Sequence, residues 1–187
     1  MRSAILASLL SAVSLAAATI PRPVPSMSVP LINGESIQLA GLKGKVVAVE
    51  FLLTTCPACQ RCSATLNRVY KDLGPKGFQV VGVATNPMAH MLVSDYVKKF
   101  GLTFPVGYNE NQDQVKEFLQ HPVIQIMKVP QLVFIDKQGQ IRAQYSGIDE
   151  FFVNEEANMR AMVEKLLAEP DPKPAAAGKK TAAAKKK

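Results

Sequence analysis

The run Val46-Val47-Ala48-Val49-Glu50-Phe51-Leu52-Leu53 constrains this chain more than any other segment. A strand with one wet face alternates apolar and polar residues. A near-continuous apolar run rich in β-branched residues needs cover on both faces, as a strand inside a parallel sheet has. Two threonines then lead into Cys56-Pro57-Ala58-Cys59. From Pro57 to Leu73 the apolar spacing becomes helical, through Cys59, Cys62, Leu66, Val69, Tyr70 and Leu73. Pro57 suits a first helical turn, where its missing N–H costs nothing, and Gly74-Pro75 closes the helix.

The same reading extends along the chain. A short strand is expected over Ser36–Leu39 and a buried strand over Phe78–Thr85. A helix over Met88–Phe100 carries Val93, Tyr96, Val97 and Phe100 on one face and stops at Gly101. A short strand Thr103–Val106 leads to a helix Asn111–Gln120 with Val115, Phe118 and Leu119 inward. Strands Gln131–Asp136 and Ile141–Tyr145 flank a turn at Lys137-Gln138-Gly139. A last helix spans Glu150–Leu167, with Met159, Met162, Val163, Leu166 and Leu167 inward. From Val46 the order is βαβαβαββα, which implies an α/β sandwich.

The ends read differently. Arg2, an apolar stretch and the small residues Ala16-Ala17-Ala18 make residues 1–18 a secretory signal peptide, cleaved after Ala18. An uncleaved membrane anchor is the alternative, since the stretch is nearly long enough to span a bilayer. Residues 19–25 are expected to be a flexible linker, residues 26–168 the folded domain, and residues 169–187 a disordered Lys/Ala/Pro-rich tail. A periplasmic or secreted location follows. The net charge of +7 sits mostly at the ends: Arg2 contributes one, and the six lysines and one aspartate of residues 170–187 contribute five. The body keeps +1, which gives no electrostatic case for nucleic-acid binding. The lysine tail could touch anionic envelope surfaces weakly.

All three cysteines, Cys56, Cys59 and Cys62, lie within seven residues. A disulfide-stapled scaffold would spread them, so the cluster points to local chemistry. Cys56 stands where a buried strand hands over to a helix. Unpaired N–H groups and the helix dipole there favour an anion, hence a thiolate. Cys59, one turn on, can reach back and close a disulfide. Cys56 is thus the candidate attacking thiol and Cys59 the resolving one. Haem attachment fails because no histidine follows Cys59 or Cys62. Structural zinc wants four ligands, and His90 and His121 are distant in sequence. An iron–sulfur run lacks its fourth cysteine. No cofactor and no metal are expected, with copper the least implausible exception. His90 and His121 read as structural. Glu50, a lone carboxyl in an apolar strand, should be desolvated, which raises its pKa toward the range useful for acid–base work. Its alternative is a place on a partly open strand face. Cys62 shares the helix's apolar stripe and reads as a buried inert thiol, with a third-thiol or metal role as the alternative.

Val46 to Cys59, the step Val129-Pro130 and the strand Gln131–Asp136 resemble the thioredoxin superfamily, most closely its exported TlpA/ResA-like and redoxin (AhpC/TSA, peroxiredoxin-like) branches. The resemblance covers roughly residues 26–168. It implies a thioredoxin-like three-layer sandwich, a central mixed β-sheet flanked by helices. It also implies that Pro130 is cis and packs beside the cysteines, that Val129 offers its backbone to substrate, and that Glu50 assists proton transfer at Cys59. Thr55 departs from the family's tryptophan before the first cysteine, Pro57-Ala58 from the thioredoxin Gly-Pro, and Cys62 from the glutamate of ResA-like proteins. The expected function is thiol–disulfide exchange with cysteine-containing protein substrates and a thiol–disulfide electron donor or acceptor, by a monomer. The alternatives are a peroxiredoxin-like thiol peroxidase, whose motif of a proline and a threonine three residues before the cysteine is not met at Leu53, and a metal carrier.

Overall fold

The computed structural model describes residues 18–172. The expected signal peptide and the tail beyond Pro172 lie outside these, apart from Ala18. Three short strands come first: β1 (Arg22–Pro23), β2 (Ser28–Pro30) and β3 (Ser36–Gln38). Then follow β4 (Val46–Leu52), α1 (Pro57–Leu73), β5 (Phe78–Ala84), α2 (Ala89–Phe100), β6 (Val106–Tyr108), α3 (Gln112–Leu119), β7 (Gln131–Ile135), β8 (Gln140–Ser146) and α4 (Glu155–Leu167). From β4 onward this is the order the sequence implies.

The main sheet runs β1-β8-β7-β4-β5-β6. Strands β4, β5 and β6 are parallel, while β7, β8 and β1 add antiparallel pairs, so the sheet is mixed. β2 and β3 form a separate hairpin. Every residue of β4 is buried, as its composition demands. Successive side chains of a strand face opposite ways, and the core divides accordingly. Val46, Ala48 and Leu52 join Cys59, Cys62, Leu66 and Val69 of α1 and Met159 and Val163 of α4. Val47, Val49 and Phe51 join Phe118 and Leu119 of α3 and Val29 of β2. Glu50 shares the parity of Ala48 and Leu52, which places it under α1 and α4. Among the described residues no helix is long and apolar enough to cross a membrane.

Four differences from the sequence reading have physical causes. Residues 19–25 are pinned rather than flexible. β1 covers the open edge of β8, and Arg22 donates to Phe118 O at 3.1 Å and Gln144 Oε1 at 2.8 Å. The third long-sheet strand begins at Val106, not Thr103. Asn67 Oδ1 captures Thr103 through its N–H and its hydroxyl, each at 2.8 Å, and Pro105 has no N–H to enter a ladder. The final helix is broken. Glu150–Phe152 make a 3-10 turn that stacks Phe151 on Tyr145, centroids 3.9 Å apart, and α4 starts only at Glu155. The start of the expected tail is held by Lys137, which donates to Glu169 O at 2.9 Å and Asp171 Oδ1 at 2.8 Å.

Candidate active site

The site forms where β4 ends and α1 begins. The connecting turn is tied at several points: Thr85 N–H donates to Leu52 O at 2.8 Å, Thr54 N–H to Asn86 Oδ1 at 3.0 Å, and Gln60 Nε2 to Thr54 O at 3.0 Å. Cys56 is the N-cap of α1, with extended backbone (φ −81°, ψ 119°) and Pro57 in the first turn behind it. Its Sγ accepts the N–H of Cys59 at 3.4 Å. A capping sulfur that accepts a backbone N–H at a helix N-terminus is placed where negative charge is favoured. All three cysteines are free thiols. Cys56 is half-buried, while Cys59 and Cys62 have no exposed surface.

Below them Glu50 is completely buried, so it does not lie on an open strand face. Ser63 Oγ donates to its Oε2 at 2.6 Å and lies 2.8 Å from the Tyr96 hydroxyl. Burial pushes the Glu50 carboxyl up to about 8, against the Ser63 hydrogen bond, which favours the ion. Burial also pushes the Cys59 thiol up, reinforced by Glu50 and Cys56 nearby, and does the same to Cys62 beside Glu50 and Glu155. The outer thiol is therefore the accessible one, and the inner one needs a base before it can react.

The Val129–Pro130 bond is cis. Val129 and Cys56 both pack against the α1-side core, and Pro130 is buried. Gly147 makes this approach feasible, because a Cβ there would stand 2.5 Å from Val129 O and 2.8 Å from Pro130 Cδ. Val129 and Leu53 also line a cavity of about 510 Å³ that continues past Asn86 and Pro87 to Ile124 and Ile126.

The structure thus gathers Cys56, Cys59 and Glu50 at one end of the sheet and brings Val129–Pro130 to the same core. His90 lies apart in an exposed pair with Glu110, Nδ1 to Oε1 2.7 Å, and His121 contacts Pro122 O at 3.0 Å. Among the described residues, no three or more His, Cys, Asp or Glu side chains are grouped to hold a metal ion. Sequence reasoning does not single out Asn86, Ser63, Tyr96 or Glu155. Tyr96 is placed there only as an inward-facing residue of its helix, and Ser63 shows only as a polar residue at the spacing of the apolar stripe of α1.

The AhpC/TSA family model matches residues 20–144. The thiol-disulfide oxidoreductase ResA of Halalkalibacterium halodurans is 27% identical over 125 residues, 66% of this chain and 67% of that protein. The ResA of Bacillus thuringiensis is 27% identical over 128 residues, 68% and 70% of the two chains. A thioredoxin-family thiol:disulfide interchange protein of Chlorobium tepidum superposes with a TM-score of 0.66 at 28% identity, covering 81% of this chain and 99% of its own. A helix-capping cysteine that packs against the same core as Val129, a second thiol one turn on, and a mixed sheet between helices agree with these likenesses, and the chain belongs to the AhpC/TSA family of the thioredoxin superfamily.

Proposed function

We propose that the protein is an exported thiol–disulfide oxidoreductase whose redox couple is Cys56 and Cys59. The observation that carries this reading is the Cys56 sulfur at the N-terminus of α1, accepting the Cys59 N–H at 3.4 Å above a buried carboxyl. In the reducing direction the Cys56 thiolate attacks one sulfur of a substrate disulfide. A Cys56–substrate bond forms, and the substrate's other sulfur leaves as a thiolate. Glu50 takes the Cys59 proton. The Cys59 thiolate then attacks Cys56 Sγ, forming the Cys56–Cys59 disulfide and releasing the second substrate thiolate. Two electrons pass from the protein pair to the substrate pair, and the oxidising direction reverses each step. A carboxyl with a pKa of about 8 is poised to exchange a proton near neutral pH.

The substrates on this reading are cysteine-containing proteins, held by the Val129 backbone beside Pro130. The likeness to the ResA proteins supports that class. Export rests on the sequence of residues 1–18. Mature protein recovered from the envelope should begin at Thr19, and recovery from the cytoplasm alone would remove export.

The functional test uses a model protein disulfide. Cys56→Ser should abolish exchange, and Cys59→Ser should accumulate a mixed disulfide through Cys56. Exchange that survives Cys56→Ser would overturn the assignment. The family match also admits a thiol peroxidase. That reading requires rapid peroxide turnover that is lost in Cys56→Ser and kept in Cys59→Ser.

A further inference from the structure

Val123 is 72% exposed, Ile124 95% and Ile126 83%, three branched apolar side chains within four residues. An exposed apolar patch of this kind marks a surface that meets a partner. The segment that carries it leads directly into the cis Val129–Pro130 step. It is tied along its length. His121 N–H donates to Lys116 O at 2.8 Å, Gln125 N–H to Pro122 O at 3.1 Å, and Lys116 Nζ to Val123 O at 2.9 Å. At the far end Gln131 Nε2 donates to Lys128 O at 2.6 Å. Met127 packs against the α3-side core, and its neighbours Ile126 and Lys128 are left exposed. The fold itself holds these apolar side chains outward, and a surface already arranged loses less freedom when it binds.

We infer that this segment selects the substrate: Ile124 and Ile126 hold an apolar side chain that lies close to the substrate cysteine joined to Cys56. The inference rests on the thiol–disulfide reading and adds the substrate class, an extended polypeptide with an aliphatic residue beside its reactive cysteine. Position carries it. Cys56 N–H donates to Leu53 O at 3.1 Å, and Leu53 is one wall of the cavity of about 510 Å³. The residue bonded to the backbone of the attacking cysteine therefore opens the cavity. Val129 continues it, and Ile124 and Ile126 line its outer part. The volume falls within the roughly 300–1,000 Å³ of pockets that bury a ligand. A substrate joined to Cys56 through sulfur lays the residues flanking its own cysteine on the surface around that sulfur, and this cavity starts from the same turn.

The polar groups of the cavity point to the same class. Asn86 Oδ1 accepts the Thr54 N–H at 3.0 Å, Lys116 Nζ is engaged by Val123 O, and Glu110 Oε1 lies 2.7 Å from His90 Nδ1. With these groups held by partners within the chain, the apolar walls are left to tell one substrate from another. Ile124 and Ile126 stand two residues apart, and an extended polypeptide presents its side chains with that same period. A second copy of the chain or a bilayer would cover these side chains without any link to the chemistry at Cys56. The continuity of the cavity with Leu53 and Val129 favours the substrate instead.

The test uses the reduced full chain and two synthetic peptides. Each peptide is joined to a copy of itself through the disulfide of one central cysteine, so either sulfur is the same target. The two match in length and charge, one with valine on both sides of the cysteine and the other with serine. Each rate constant for opening the disulfide is divided by that of dithiothreitol on the same peptide. The valine peptide should then be favoured by about tenfold or more, as burial of a branched side chain supports. Ile124→Ser combined with Ile126→Ser should bring the preference close to unity, and both sites are exposed enough for the chain to fold. Val153→Ser, at a residue 78% exposed and outside this cavity, should keep it. Equal rates for the two peptides would overturn the inference, whether the face then proves to bind a second copy or phosphatidylglycerol vesicles. A preference that survives the double variant would do the same, as would an equal loss in Val153→Ser. Failure of the unmutated protein to open either peptide would instead remove the thiol–disulfide reading itself.

Discussion

At Glu50 a carboxyl sits in the middle of a strand with no exposed surface and one of its oxygens without a hydrogen-bond partner among the described residues. Its ordinary value is 4.5, and burial moves it to about 8 in the folded protein. Below the ordinary value both folded and unfolded chains carry the proton. Between the two values only the folded chain does, so the stability associated with this group declines as pH rises and is lost as pH passes about 8. Glu50→Gln cannot ionise. It should match the parent near pH 4 and exceed it by about 4 kcal/mol near pH 8, read from urea unfolding at both pH values. An equal difference at both would mean that the carboxyl is not the cause. The same variant should slow release of the mixed disulfide, because Cys59 loses its base. At Cys56 the prediction is kinetic. Iodoacetamide should label it well before Cys59 or Cys62, since only Cys56 has exposed surface among the three. First labelling at Cys62, checked by peptide mass, would contradict the assignment.

At the scale of elements, α1 does two jobs with one face. Its stripe of Cys59, Cys62, Leu66 and Val69 seals it to β4, and its first turn presents Cys56. Leu66→Ala should cost roughly 2–5 kcal/mol in urea unfolding, because Leu66 is wholly buried and the rigid sheet beneath cannot collapse into the gap. The α3 cap is cheaper. Asn111 accepts from Asp113 N–H at 3.1 Å and Gln114 N–H at 3.2 Å, and Asn111→Ala should cost about 1 kcal/mol. Gly147 tests the loop that carries the cis proline. Gly147→Ala drives a methyl against Val129 O, so disulfide exchange should fall while Cys56 alkylation holds steady. Equal exchange rates would show that the Val129 backbone is not needed. The bounds of β4, α1 and β7 were legible because period and composition agree there. The break before α4 was not, because it follows from Phe151 folding back to stack on Tyr145 of the strand just before it, a contact that neither a helical nor a strand period records.

For the whole molecule, the first strand closes the sheet. Removing residues through Pro23 takes away Arg22, whose guanidinium meets Phe118 O and Gln144 Oε1, and bares the β8 edge. Its hydrogen bonds to a charged group suggest a loss of about 1.5–3 kcal/mol in unfolding free energy, and an unchanged midpoint would show that the segment is incidental. Composition alone makes residues 19–25 a flexible linker, yet Arg22 is buried and β1 pairs with β8. Local composition carries no record of which edge such a segment will meet. What this sequence determined alone is the order of elements from β4 onward, the two-sided burial of β4 and the placing of Cys56 and Cys59 on one helical turn, because each depends on neighbours a few residues apart. Tertiary structure alone decided that Ser63 and Tyr96 would meet at Glu50. Those side chains come from two helices, 13 and 46 residues further along the chain, and only close packing against the sheet brings them to the buried carboxyl.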